Sequence, residues 1–62
     1  MSQIELLAMA RTAMALRPPA TPEQVLVLVR SLSALPMLSE PVGEEGVLAI
    51  TRQLEREFSI SL

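Results

Sequence analysis

The stretch "ATPEQVLVLVRSL", residues 20–32, contains five consecutive valine and leucine residues behind a proline. Short apolar runs of this kind occur both in buried strands and in helices. Thr21 is typical of a helix N-cap, Pro22 suits the first helical position, and Gln24 completes a Thr-x-x-Gln capping box. These three signals predict that a helix begins at Pro22.

The spacing of the apolar residues also favours a helix. They recur at i, i+3, i+4, i+7 and i+10, as Val25, Leu28, Val29, Leu32 and Leu35. This is one continuous helical stripe, whereas a half-buried strand would alternate apolar and polar residues. Because Pro36 disfavours helix at the preceding residue, we predict a helix over residues 22–35.

Helix signals recur on both sides of this segment. Ser2 and Glu5 form a second capping box, which predicts a helix over residues 3–17 that ends at the Pro18–Pro19 pair. Glu44 and Glu45 suit the first turn of a third helix over residues 44–58. The sequence therefore predicts a single all-α domain over residues 1–62. It is a small three-helix bundle or an open three-helix array, with a short extended C-terminal tail at 59–62.

The predicted core takes side chains from one face of each helix. On the first helix we assign a broad apolar face to Leu6, Leu7, Met9, Ala10, Ala13, Met14 and Leu16. Across the fold we expect the most buried side chains to include Leu6, Met14, Leu28, Leu32, Ile50, Leu54 and Phe58. We expect Arg52 and Glu55 to lie off the core face of the third helix, where they can form an ion pair at i, i+3.

Composition limits how so short a chain can be stabilised. A 62-residue domain buries only about 60% of its unfolded surface. Half of the residues are apolar, and cysteine, histidine and aspartate are absent. Disulfides are therefore impossible and a zinc site has no suitable ligands, so we expect no cofactor. Oligomerisation or very good helix packing is the remaining support for a domain of this size.

The sequence also argues against catalysis. Histidine and lysine, two common general acid–base residues, are absent, and the serines have no base partner other than glutamate. Glu44 and Glu45 are adjacent, so their side chains point about 100° apart on a helix. A hard-cation site with Glu40 is conceivable but lacks the ligand spacing of a metal-binding loop. We expect neither an enzyme nor a small-molecule substrate.

Three apolar residues lie off the predicted core stripes: Leu26, Val27 and Leu48. Our leading hypothesis is a small non-enzymatic helical protein-interaction module that binds a protein partner or a second copy of itself, most simply as a homodimer. Neighbouring helices that cover these residues within one monomer are the simpler alternative. Arginine without lysine, together with abundant Ala, Leu and Val, is typical of GC-rich genomes and suggests a bacterial or phage accessory protein.

The alternative hypothesis is a small helix-turn-helix-like DNA-binding or transcription-modulating protein. Arg52, Gln53 and Arg56 are the residues of the third helix that would contact nucleic acid. The net charge of −2 and a connection of about eight residues before that helix argue against it. Nucleic acid is therefore not the expected partner.

Membrane association is not expected either. The first charged residue is Glu5, no basic residue precedes the apolar N-terminal stretch, and no apolar run approaches the ~20 residues of a spanning helix. No predicted helix combines a cationic face with an aromatic anchor, as interfacial helices do. We therefore expect a cytoplasmic protein.

Overall fold

A computed structural model of the chain describes residues 2–35 and 41–60, and for Ser2 the backbone alone. Three helices make up most of this part: α1 (Ser2–Leu16), α2 (Pro22–Ser33) and α3 (Glu44–Glu57). Each helix contacts the other two, and α2 packs most extensively on α3. No strand occurs among the described residues. The predicted all-α fold is confirmed, and the helices pack as a three-helix bundle.

The start of α2 follows from its cap. Thr21 is the N-cap in an extended conformation, and its Oγ1 accepts a hydrogen bond from the amide of Gln24 at 3.3 Å. The Gln24 side chain reaches back one residue further than a capping box predicts, since its Oε1 accepts from the amide of Ala20 at 2.7 Å. Two amides near the helix start are thus satisfied by side chains, and the predicted start at Pro22 is confirmed.

All three helices end slightly earlier than predicted, and α3 does so by one residue, at Glu57. The amides of Ala34 and Leu35 donate to carbonyls three residues back, which tightens the last turn of α2 so that the helix ends at Ser33. At the end of α1, the Arg17 amide still donates to the Ala13 carbonyl at 3.0 Å. Pro18 then disfavours the helical conformation at Arg17, so α1 ends at Leu16.

The C-terminus of α3 is closed by a Schellman motif. Ser59 has a left-handed backbone with φ of 55°, its amide donates to the Arg56 carbonyl, and the Ile60 amide donates to the Glu55 carbonyl at 2.8 Å. The Ile60 side chain packs against the core. The predicted tail therefore begins with two residues that cap the helix, and its last two lie outside the described residues.

The core is formed by eight buried apolar side chains from all three helices: Leu6, Ala10, Met14, Val25, Val29, Val47, Ile50 and Leu54. Thr51 is buried beside them, and its hydroxyl donates to the Val47 carbonyl at 2.8 Å. Gly46 is also buried at the start of α3, where an added Cβ would lie 2.7 Å from the Gln3 side chain. Its missing side chain thus allows the N-terminus of α1 to approach α3 closely.

Three residues predicted among the most buried are only half-buried: Leu28, Leu32 and Phe58. The prediction was wrong for them because the buried line of α2 runs through Val25 and Val29, with the leucines packed at its edges. Phe58 follows the last residue of α3 as its C-cap and so packs against the end of the core.

Two ion pairs join α3 to the other helices. The Arg11 guanidinium donates to both carboxylate oxygens of Glu57, at 2.9 and 2.7 Å, and links α1 to α3. Arg30 pairs with Glu44 and links α2 to the start of α3. The expected pair of Arg52 with Glu55 does not occur within the described part of the chain. Both observed pairs are solvent-exposed, so each adds little to the free energy of folding.

Candidate interaction surfaces

Helix α1 has apolar side chains on every side. Leu6, Ala10 and Met14 form its fully buried line, yet Leu16 is 84% exposed. The assignment of Leu16 to the core face was therefore wrong. It follows Met14 by two residues, about 200° around the helix, and so cannot share that face. Because no polar stripe marks the outer side of α1, the sequence alone did not indicate which apolar side chains would remain in solvent.

The outer side of α1 forms an apolar groove of about 460 Å³ against α2. We call it the α1 groove, and it is lined by Ala8, Met9, Thr12, Ala13, Leu16 and Leu32. No charged side chain lines it, and the hydroxyl of Thr12 donates to the Ala8 carbonyl at 3.0 Å. Met9, which was predicted to fill the core, is half-buried in this groove, whereas Met14 is fully buried.

A second groove lies between α2 and α3 and brings together two of the three residues of the predicted patch. Leu26 and Leu48 line this groove of about 230 Å³, with Pro22, Glu23, Thr51, Arg52 and Glu55 around them. Leu26 is half-buried and packs on the core, and Leu48 is 37% exposed.

Val27 is separated from the other two residues of that patch. It is 64% exposed but does not line the groove between α2 and α3, because adjacent residues on α2 point about 100° apart. The three residues therefore do not form one apolar surface. Two of them flank a groove that also has charged lining, and the third lies on a different side of α2.

The residues of the nucleic-acid hypothesis also point in different directions. Arg52 lines the α2–α3 groove, whose lining also includes Glu23 and Glu55. Gln53 instead lines a groove between α1 and α3, and its amide donates to Glu57 at 3.0 Å. Arg56 is exposed in the last turn of α3. This arrangement does not create one basic surface.

Potential metal ligands and buried polar groups were compared over the described part of the chain. Residues 2–35 and 41–60 contain no group of three or more potential metal ligands close together, and none of their buried side-chain polar atoms lacks a hydrogen-bond partner. Glu40, considered above for a cation site, lies outside these residues. Over the same ranges, the helices are all too short or too polar to cross a membrane.

Comparison with protein-family models, with curated proteins and with solved structures finds no match to this chain. The functional argument therefore depends on the surfaces themselves. Of the three grooves described above, the α1 groove has the largest volume, and it is the one bordered by the most exposed large apolar side chain.

Proposed function

We propose that this chain is a small, non-catalytic helical protein-interaction module that associates with a second copy of itself through the α1 groove. The observation that carries the proposal is the uncharged lining of this groove together with Leu16, which is 84% exposed at its edge. Exposed apolar surface of this kind on a small domain tends to mark an interaction site.

A second copy fits this surface for a reason of shape. The same face carries a projecting leucine and a recess lined by small side chains, Ala8 and Ala13. In a two-fold contact each chain presents the same surface to the other, so each supplies both the projection and the recess. Because no charged side chain lines the groove, the net charge of −2 on each copy does not place like charges inside the contact.

The size of the chain supports the same partner. With no cysteine available for a disulfide, a domain of 62 residues gains stability chiefly from helix packing or from association. Removing Leu16 and Met9 from water adds apolar burial that the monomer lacks. The favourable free energy of such burial is roughly proportional to the apolar area removed from water.

Nucleic-acid binding is the weaker candidate. The Gln53 side chain already donates a hydrogen bond to Glu57, and the groove that Arg52 lines also contains Glu23 and Glu55. The connection from Ser33 to Glu44 is also much longer than the three or four residues of a helix-turn-helix. A filter-binding assay with duplex DNA over a salt series checks this alternative, because genuine DNA binding weakens steeply as the salt concentration rises.

Sedimentation equilibrium on the wild type and on single glutamate variants tests the proposal. Leu16→Glu places a charge in the α1 groove, so we expect it to sediment as a monomer while its far-UV circular dichroism stays helical. Val27→Glu is the matched control, since Val27 is 64% exposed and outside the groove; it should keep the wild-type mass.

Two results would overturn this proposal. A wild type that remains monomeric at high micromolar concentration excludes self-association. A dimer that persists in Leu16→Glu but is lost in Leu48→Glu places the contact in the α2–α3 groove instead, where the sequence-based hypothesis had put two of its three residues.

A further inference from the structure

Granting the proposed self-association, we infer that the two copies pair through antiparallel α1 helices. The two-fold axis passes near Thr12, so that Leu16 of each chain packs on Ala8 of the other.

The arrangement of side chains along α1 favours this register. Ala8, Thr12 and Leu16 are spaced four residues apart, so they form one line along the helix with about 6 Å between successive positions. An antiparallel partner centred on Thr12 places the large Leu16 against the small Ala8 at both ends. A parallel partner would place leucine against leucine at one end and alanine against alanine at the other. Only the antiparallel pair fills the contact evenly, as close-packed interfaces require.

Charge favours the same orientation. Glu5 lies three residues before Ala8, and Arg17 lies four residues after Ala13, so opposite charges flank the two ends of the groove. An antiparallel partner brings the Glu5 end of one helix towards the Arg17 end of the other. A parallel partner brings like charges together at both ends, which complementary interfaces avoid.

The remaining charge on α1 does not interfere with this contact. The Arg11 guanidinium is held on the α3 side of the helix by Glu57, with its Nη2 atom 2.7 Å from the carboxylate. The helix macrodipoles add a weak preference in the same direction, because antiparallel helices place opposite partial charges side by side.

Cysteine cross-linking tests the geometry cleanly because the chain has no cysteine of its own. In Thr12→Cys the new thiols lie near the two-fold axis and should form an intermolecular disulfide on mild oxidation. In Ala8→Cys the two thiols of an antiparallel pair are separated by eight residues along the axis, about 12 Å, which exceeds the ~7 Å limit between Cα atoms. Ala49→Cys, exposed on α3, is the control for random collision.

The inference predicts that Thr12→Cys cross-links severalfold faster than both Ala8→Cys and Ala49→Cys. Rapid cross-linking of both Thr12→Cys and Ala8→Cys would indicate a parallel pair and overturn it. A dimer mass by sedimentation without preferential cross-linking at position 12 would also overturn the geometry, while the proposed self-association would stand. A monomer mass for the wild type and for unoxidised Thr12→Cys would remove the proposed function and this inference with it.

Discussion

Substitution of Ser59 by glycine should stabilise the fold, because the backbone conformation there suits glycine. Ser59 is the residue after the C-cap of α3 and has a φ of 55°. The left-handed conformation destabilises a residue that has a Cβ by about 1–2 kcal/mol, a cost that glycine avoids. Glycine also raises the conformational entropy of the unfolded chain, which lowers the free energy of unfolding by about 0.4–1 kcal/mol. The net expectation is a gain of about 0.5–1 kcal/mol, which corresponds to roughly 2–8 °C in Tm for a domain of this size.

Thermal unfolding followed by circular dichroism measures this effect, with all variants at one protein concentration because association would shift Tm. Ser31→Gly is the matched control, since Ser31 is exposed within α2, where glycine lowers helix stability by about 0.5 kcal/mol relative to serine. The two substitutions are chemically identical and should shift Tm in opposite directions. A decrease in Tm for Ser59→Gly, or equal shifts for both, would refute the Schellman cap at the end of α3.

Three other predictions concern packing, capping and pH. Leu54→Ala should cost about 2–5 kcal/mol because Leu54 is fully buried, and the half-buried Phe58→Ala should cost less; urea denaturation that gives the reverse order would contradict the observed core. Thr21→Ala should cost about 1 kcal/mol through loss of the α2 cap, whereas Thr21→Ser should change little. The hydrogen bond from Arg11 holds the pKa of Glu57 below its usual range, with Gln53 acting in the same direction. The pair therefore stabilises the fold above the ordinary glutamate pKa of about 4.3 and loses this effect as the pH falls through the lower folded pKa. Glu57→Gln should accordingly lose less stability than the wild type on acidification, and identical acid profiles would argue against the pair.

Local signals in the sequence predicted α2 and α3 well. The cap at Thr21 and the charged first turn of α3 each depend on residues that are close together in the sequence. Both can therefore be recognised without knowledge of the tertiary structure. The two ion pairs join residues 46 and 14 positions apart, and such pairs depend on how the helices pack. The Schellman motif was not expected because serine, unlike glycine, gives no sequence signal for a left-handed residue.

The candidate site was predicted only in part. Leu26 and Leu48 do line a common groove, but Val27 lies elsewhere, and Met9 and Leu16, which line the α1 groove, were assigned to the core face. The reason is that α1 lacks the contrast between apolar and polar faces that reveals the buried side of a helix. With apolar residues on all sides, only the positions of α2 and α3 determine that Leu6 is buried while Leu16 is exposed.

The central claim is that the chain associates with itself through the outer face of α1, and a dilution series followed by ¹H–¹⁵N NMR tests it most directly. Each backbone amide then reports separately on whether its surroundings change when the copies separate. The account predicts concentration-dependent shifts for residues 8–17 and Leu32, while the amides of Glu55 and Arg56 on α3, which do not line the α1 groove, stay constant. Spectra that are identical from high to low micromolar concentration, or shifts confined to Leu26 and Leu48, would contradict it.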